Sequence, residues 1–572
     1  MPTNPNKLSQ FWQELKRRKV IRVIVVYAAA GFAIIEFVDI VTDPLNLPEW
    51  ALALVIVLVA TGFPIAIIFS WIFDISSKGI KKTEPLEDTA EENEVHSTKG
   101  KPVIPEKSII VLPFENISPD PDQEYFSDGL TEEIITDLSH IHDLMVISRS
   151  SAMTFKGAKK KTKEIASEVN VRYVLEGSVR KAGNNLRITA QLIDSETDAH
   201  IWADKYNGAL NDVFDIQEKV SQSIAKALNI ELNSKEKREL LKRPISDIQG
   251  YECFLRAKKD IYTYTKEGLE KGVKTLQIGL DQYGDNALLY ATLGEAHILF
   301  FDIGYVTDEA ILGKAEEYAR KTLALDPESA YGYKLLALLE RGHGSLKKAC
   351  KYIKKAYDGE PNESSILMYA ASFLGMYAGN PSFSKSLFSK LLEIDPLSPL
   401  NNLMFGMYHY TEGNFSEALE LVSKFNHMIP ELMWSKFWLA NIYAAKNDIN
   451  KAITTIDETV QIEGIDQIIK ELLLFFKYVL LGDKEKALKA LGKKAKTYTW
   501  NDPDFSYFMS GYYALLHEKE EAFRWIEHSI DRDFLNFPFL NSTYPFLENI
   551  RGEARFKKLM KTMKHEWENF EV

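Results

Sequence analysis

The chain has 572 residues, too many for one hydrophobic core, and its 45% apolar and 26% charged content predicts several folded units. A net charge of −12 argues against nucleic acid as the main partner, because nucleic-acid binders present a basic face. Two cysteines far apart in sequence, Cys253 and Cys350, give neither a disulfide framework nor a cysteine-based metal site.

Residues 1–82 read as a membrane module. Two apolar stretches, 23–41 and 51–73, each have about the 20 residues that a helix needs to cross a hydrocarbon core. Only residues 42–50 separate them, with Pro44 and Pro48, so a tight two-helix transmembrane hairpin is expected. Lys16, Arg17, Arg18, Lys19 and Arg22 precede the first stretch. Lys78, Lys81 and Lys82 follow the second, and the connecting loop has no Lys or Arg. Basic flanks stay inside, which predicts a two-pass topology with both termini cytoplasmic. Glu36 and Asp39 share one face of the first helix and are candidate intramembrane polar residues. They read either as a polar contact with Thr61, Ser70 or another protomer, or as side chains reaching the outer headgroups. Residues 83–106, crowded with Glu84, Glu87, Asp88, Glu91, Glu92 and Glu94, read as a flexible acidic linker.

Residues 107–232 carry the pattern of a small α/β domain. Ile109–Leu112 is a short buried strand, and Leu130, Ile134, Ile135, Leu138 and Ile141 form the stripe of a helix. Leu144–Ile147 is a second strand and Thr162–Val169 a second helix. Tyr173–Val179 and Leu186–Leu192 alternate in period two around Gly183, Asn184 and Asn185, a hairpin signature. His200–Tyr206 adds a strand and Asp215–Leu232 a closing helix.

LPFENISPDPDQEYFSDGLTEEIITDL (Leu112–Leu138) and VRYVLEGSVRKAGNNLRITAQLIDSETDAHIWADKY (Val171–Tyr206) resemble the TolB amino-terminal-like domain, of adenylate-cyclase-associated type, found in bacterial signalling and repeat proteins. Phe11–Asp39 and Leu47–Ser76 resemble the membrane hairpin that commonly precedes it. The resemblance implies a bacterial inner (plasma) membrane protein. It leaves open, as an alternative, a component of a cyclase-related or transcriptional signalling system that binds a ligand or catalyses in the α/β domain. Candidate anion or ligand residues are Asp128 and Thr131, at the expected start of the first helix, and Arg149, just past the second strand. The simpler reading of the same residues, and the preferred one, is a helix cap and a surface arginine.

From residue 244 to 533 the pattern is helical and periodic. Pro327, Pro361, Pro396 and Pro430 are spaced 34, 35 and 34 residues apart. Small residues recur in phase at Ala315, Ala349, Ser384, Ala418, Ala452, Ala487 and Ala522, and Ala337, Ser372, Gly406, Ala440 and Ser510 each stand 12 residues before one of these. A 34-residue helix–turn–helix period is the signature of tetratricopeptide repeats (TPR), which predicts an all-α solenoid. Residues 534–572 read as its C-terminal cap. By resemblance, the first helices of the units form a concave face holding Tyr331, Lys334, Arg341, Tyr369, Phe373, Tyr410, Trp434, Phe437 and Asn441. Each aromatic there reads equally as peptide contact or inter-helix core.

No phosphate-binding loop, zinc-protease motif or nucleophile elbow occurs, so no catalytic, cofactor-binding or metal-binding residue is assigned and no enzyme activity is expected. The whole reads as a multidomain, membrane-anchored scaffold or sensor that recruits a protein or peptide through the array. Its other partner is the lipid bilayer, nucleic acid is not expected, and self-association is left open.

Overall fold

The structure, a computed structural model, describes residues 73–76, 79–82, 104–302, 310–430 and 432–571, with Val59 and Thr61. The two apolar stretches, with Glu36 and Asp39, lie outside the described residues except for Val59, Thr61 and Phe73, and so does most of the acidic linker. Among the described residues no helix is long and apolar enough to cross a membrane. Phe73–Ser76 (β1) and Gly79–Lys82 (β2) pair antiparallel, where the sequence reading ended a helix and continued with a basic flank. Residues 101–572 form a separate compact unit.

That unit opens with a mixed sheet. Ser108–Val111 (β3) is buried along its whole length, as the apolar run from Ile109 demands, and the buried Ser108 hydroxyl accepts from the Arg172 amide at 2.9 Å. It pairs in parallel with Met145–Val146 (β5) on one side and Tyr173–Ala182 (β6) on the other. Asn185–Asp194 (β7) and Ala199–Ala209 (β8) extend the sheet antiparallel, giving the order β5-β3-β6-β7-β8. The β6–β7 turn contains Gly183 at φ 58°. The short strand Glu115–Asn116 (β4) pairs beside β6. Helices Glu124–Ser139 (α1), Arg149–Met153 (α2), Thr162–Glu168 (α3) and Val213–Ala227 (α4) complete the domain. The expected order of strands and helices is present, with β4 and α2 added.

Ser234–Leu240 (α5) leads into the array. The helices are Ile248–Ile261 (α6), Lys266–Tyr283 (α7), Ala287–Asp302 (α8), Ala310–Leu325 (α9), Ala330–Gly342 (α10), Leu346–Gly359 (α11), Ser364–Ser372 (α12), Pro381–Ile394 (α13), Pro399–Thr411 (α14) and Phe415–Met428 (α15). Then follow Met433–Ala445 (α16), Ile449–Val460 (α17), Gln467–Leu480 (α18), Lys484–Ala490 (α19), Lys493–Asn501 (α20), Pro503–Leu515 (α21) and Lys519–Asp531 (α22). Neighbours in sequence pack in pairs, the TPR-like arrangement that the period predicts. The phased small residues Ala315, Ala349, Ser384, Ala418, Ala452, Ala487 and Ala522 are all fully buried. Their purpose is visible at Gly406: a Cβ there would stand 2.6 Å from Val422 Cγ2 and 3.3 Å from the Ala418 carbonyl oxygen. The turn inside each pair carries a left-handed residue, at Gly344, Gly379, Gly413, Asn447, Gly482 and His517. Asn380, Asp448 and Asp483 then cap the second helices by accepting from the amides of Phe383, Lys451 and Lys486.

The chain closes on itself at its end. Phe373–Tyr377 continues α12 as a π-helical turn. Asn536 donates from Nδ2 to the carbonyls of Gly375 and Met376, and the Leu535 amide donates to the Tyr377 carbonyl at 2.9 Å. Ala554–Glu568 (α23) completes the cap, and its Trp567 Nε1 donates to the Gly379 carbonyl at 3.0 Å. One apolar cluster runs from Ala291 to Met563 through array and cap. A second joins the sheet core to α6, α7 and α8 through Tyr251, Phe254, Leu255, Leu269, Leu276, Leu289 and Leu293. The α/β domain and the first helices of the array therefore share one core.

Candidate functional site

The chemistry gathers where α1 and α2 meet the array. The short turn Pro121–Gln123, capped by Asp120, starts α1 at Glu124. Asp128 and Thr131 therefore lie inside the helix, not at its N-terminus, and their amides offer no anion site. Asp128 instead takes both carboxylate oxygens to Lys156 Nζ, at 2.8 and 2.7 Å. Thr131 Oγ1 accepts from the Phe114 amide at 3.0 Å and donates to the Ser127 carbonyl at 2.8 Å. Arg149 Nε is 3.0 Å from Glu132 Oε2, with its guanidinium 4.2 Å over the Tyr262 ring. All three candidate ligand residues are thus committed to partners within the chain.

Four carboxylates, Glu132, Glu252, Asp395 and Glu360, bolt the α/β domain to the array. Glu132 on α1 accepts from Lys258 Nζ and from Tyr262 Oη at 3.3 Å, both on or just after α6. Burial works to raise its pKa, but the Lys258 ammonium and the Arg149 guanidinium overcome that and hold it below the usual carboxylate range. Glu252 on α6 accepts from Lys181 Nζ on β6 and from Tyr125 Oη at 2.8 Å on α1. Asp395, 1% exposed after α13, accepts from Ser150 Oγ and Ser151 Oγ at 2.6 Å each and from Ser364 Oγ. The Ser148 amide also donates to the Ile394 carbonyl at 2.7 Å. His140 Nε2 lies 3.1 Å from Glu360 Oε2; burial lowers the imidazole pKa, but Glu360 more than restores it. Close approach of α1 to α6 depends on Gly129, where a Cβ would stand 2.5 Å from Leu255 Cδ2.

Beside these bolts lies a cavity of about 30 Å³ walled by Glu133 and Asp137 of α1, Phe214, Gln217 and Glu218 of α4, Leu240 and residues 242–245, and Tyr251 and Phe254 of α6. Burial pushes the Glu133 carboxyl up to about 8, with Lys258 opposing and Glu132 and Asp137 adding to the rise. Burial pushes Asp137 up to about 7, although Ser221 Oγ donates to it at 3.4 Å.

The expected concave face is filled from within. Tyr410, Phe437 and Asn441 are 0%, 1% and 0% exposed, and Phe373 and Lys334 are buried too. Tyr410 packs edge-on to Trp438 and lies 6.1 Å from the Phe539 ring. Phe437 packs on Phe505 and Phe508 of α21, and Asn441 Oδ1 accepts from Tyr512 Oη of the same helix at 2.7 Å. Lys334 Nζ pairs with Glu295 at 3.0 Å, and Arg341 bonds Tyr377 Oη at 3.1 Å and Asp504 at 2.9 Å. Only Tyr331, Arg341, Tyr369 and Trp434 keep part of their surface. Of the two readings open for each aromatic, inter-helix core holds for Phe373, Tyr410 and Phe437; sequence leaves the choice open because large aromatics at helical spacing look the same whether a partner or α21 covers them. Asp395 was equally silent, being one more Asp before a breaker proline, whereas Glu133 and Asp137 stand four apart on an apolar-striped helix and could have been noticed.

Over residues 105–226 the chain matches the family model of the HilA/YgeH-like transcriptional regulator second domain, the stretch that folds as the α/β domain. It is 42% identical over 178 residues to putative adenylate cyclase 3 of Rhizobium meliloti (strain 1021), a match covering 31% of this chain. The chain spans 30% of that relative's length. A tetratricopeptide repeat protein from Parabacteroides merdae aligns over 48% of this chain and 99% of its own, at 18% identity and a TM-score of 0.33. A human IFIT1 dimer with PPP-AAAA aligns over 56% of this chain and 86% of its own, at 16% identity and a TM-score of 0.35.

Proposed function

We propose that the chain is a membrane-anchored, non-enzymatic scaffold or sensor whose α/β domain and helical array act together on a protein partner. The observation that carries this reading is the docking of the α/β domain on the array through the buried Asp395 carboxylate, reinforced by Glu132 and Glu252. Two parts that share one core and four carboxylate bridges move as one body, so a change at the sheet is felt along the array. The partner surface then belongs to the outer helices and to Tyr331, Tyr369 and Trp434, the groove aromatics that keep open surface. The anchor in this reading rests on the two apolar stretches, 23–41 and 51–73, and their basic flanks. Photo-crosslinking groups placed in cells at the exposed Leu432 and Leu488 test it. Discrete protein adducts in the membrane fraction support it; adducts absent at both positions, or a chain that stays out of that fraction, count against it.

The 42% identity to a putative adenylate cyclase favours a second reading, a cyclase-related or transcriptional signalling component acting through the α/β domain. Conversion of ATP to cyclic AMP by the purified full chain, lost in Arg149→Ala, supports this second reading. Absence of turnover with magnesium or manganese removes its catalytic form.

A further inference from the structure

The cap leaves a groove open at the end of the array. Its helix α23 turns Phe556, Met560 and Met563 inward, where all three are almost wholly buried. The next flank of the same helix carries Lys557, Lys561 and Lys564, all exposed. Between that flank and the chain at Phe537, Asn541 and Arg551 lies an open space of about 370 Å³. Phe556 and Met560 form its floor with the half-buried Phe537 ring, whose centre stands 5.7 Å from that of Trp567. The Asn541 side-chain amide on the far rim is bonded to no described residue.

Like charges at steps of four and three on one helix flank repel each other and cost helix stability. Nothing in the groove offsets them, since no Asp or Glu lines it. Lys557 and Lys561 make no ion pair with any described residue, and Lys564 has only a 3.6 Å contact with Glu568 on its own helix. Flank lysines nearby are paired: Lys484 binds Glu518 and Lys519 binds Glu553. Arg551, the fourth cation of the groove, is held by Glu548 and by the Tyr544 carbonyl. A chain of net charge −12 thus keeps a local excess of positive charge beside an apolar floor. The pairing of the two selects the occupant. A second copy meeting this groove across a two-fold axis would set lysines against lysines. A lipid surface is flat and does not follow a groove to its floor. Nucleic acid would leave the apolar floor uncovered and is repelled by the net charge. An extended chain repeats every second side chain at about 6.6 Å. Lysines one helical turn apart stand at about 5–6 Å, so carboxylates two residues apart meet successive lysines.

We propose that the cap groove receives an extended acidic segment of a partner protein, with its carboxylates on Lys557 and Lys561 and one large apolar side chain on the floor of Phe537, Phe556 and Met560. The proposal rests on the protein-recruiting reading and gives it a surface and a partner chemistry. The test is selection of phage-displayed random dodecapeptides on the immobilised full chain, followed by fluorescence anisotropy of the enriched peptides. The expected peptides carry two or more Asp or Glu beside a Leu, Ile, Phe or Trp. Lys557→Glu with Lys561→Glu should weaken their binding about tenfold or more. Lysines put in place of the peptide carboxylates should restore binding to that double variant. Both substituted positions are exposed, and an unchanged thermal unfolding midpoint confirms that the variant folds. Enriched peptides that lack either the acidic or the apolar residues overturn the proposal, as does no enrichment over bare resin. Acidic peptides that bind the double variant unchanged overturn it too. Complete displacement of the peptide by polyuridylate or by phosphatidylglycerol vesicles at lower concentration also overturns it, in favour of nucleic acid or lipid. Crosslinks from Leu432 and Leu488, outside the groove, report on recruitment separately, so loss of this site and loss of that reading are told apart.

Discussion

Asp395 concentrates the contact between the α/β domain and the array in one side chain. Three serine hydroxyls, from α2 and from α12, converge on a carboxylate that is almost wholly out of water. Hydrogen bonds to a charged acceptor are each worth about 1.5–3 kcal/mol, and removing the acceptor strands the donors. Asp395→Ala should therefore lower stability by about 3 kcal/mol in urea unfolding. Glu133 works in the opposite sense. It sits at about 8 when folded, against an ordinary 4.5, and Asp137 at about 7 against 3.8. Below about pH 4 these groups are neutral in both states and cost nothing; as pH rises the unfolded chain ionises first, and the native state loses ground until about pH 8. His140, raised by Glu360, has the same sign: its contribution is whole below its ordinary 6.5 and is lost as pH climbs through the raised folded value. Glu133→Gln should leave the urea midpoint near pH 4 unchanged and raise it above that of the unaltered chain at pH 8.5.

Among the elements, the π-helical turn after α12 links sequence spacing to tertiary contact. A π turn accommodates one residue more than an α turn. The 35-residue step from Pro361 to Pro396, one above the steps on either side, is its trace in the sequence. The turn presents the Gly375 and Met376 carbonyls sideways, and Asn536 takes both. Asn536→Ala leaves two buried carbonyls without a donor, and a loss of about 2 kcal/mol is expected in denaturant unfolding. The helices themselves were legible because period, small residues and breakers agree over many units. So was the sheet, whose strands alternate or run apolar according to how many faces are covered. The start of α1 was misplaced because Gly129 looks like a turn residue, whereas its role is to let Leu255 approach. What the sequence could not disclose was which helix face meets another part of the same chain, since Tyr410 and Phe437 carry no mark of their covering.

At the scale of the molecule, the shared core predicts joint behaviour. Tyr251, Phe254 and Leu255 of α6 belong to the same cluster as Ile109 and Val174 of the sheet. A protease cutting within residues 83–103 should release a fragment running to the C-terminus that resists further cleavage between α4 and α6. Mass spectrometry of the products checks this, and early release of a separate sheet domain is the contrary outcome. The site was less legible than the fold for the same reason: its bolts join residues far apart, Glu132 to Lys258 and Ser151 to Asp395, and no local pattern announces such pairs.

The contact of Leu535 and Asn536 with residues 375–377 also constrains how this chain can change over generations. An open array grows or shrinks by whole units, since each unit touches only its neighbours. Here Arg341 must reach Asp504, and Asn536 must reach the turn after α12. Duplicating or deleting one unit between them would carry Asp504 and Asn536 out of register with both sites. The number of repeats between α10 and α21 is thus fixed by a closure condition, and lineages of this chain should vary in loop length and outer surface while keeping that count.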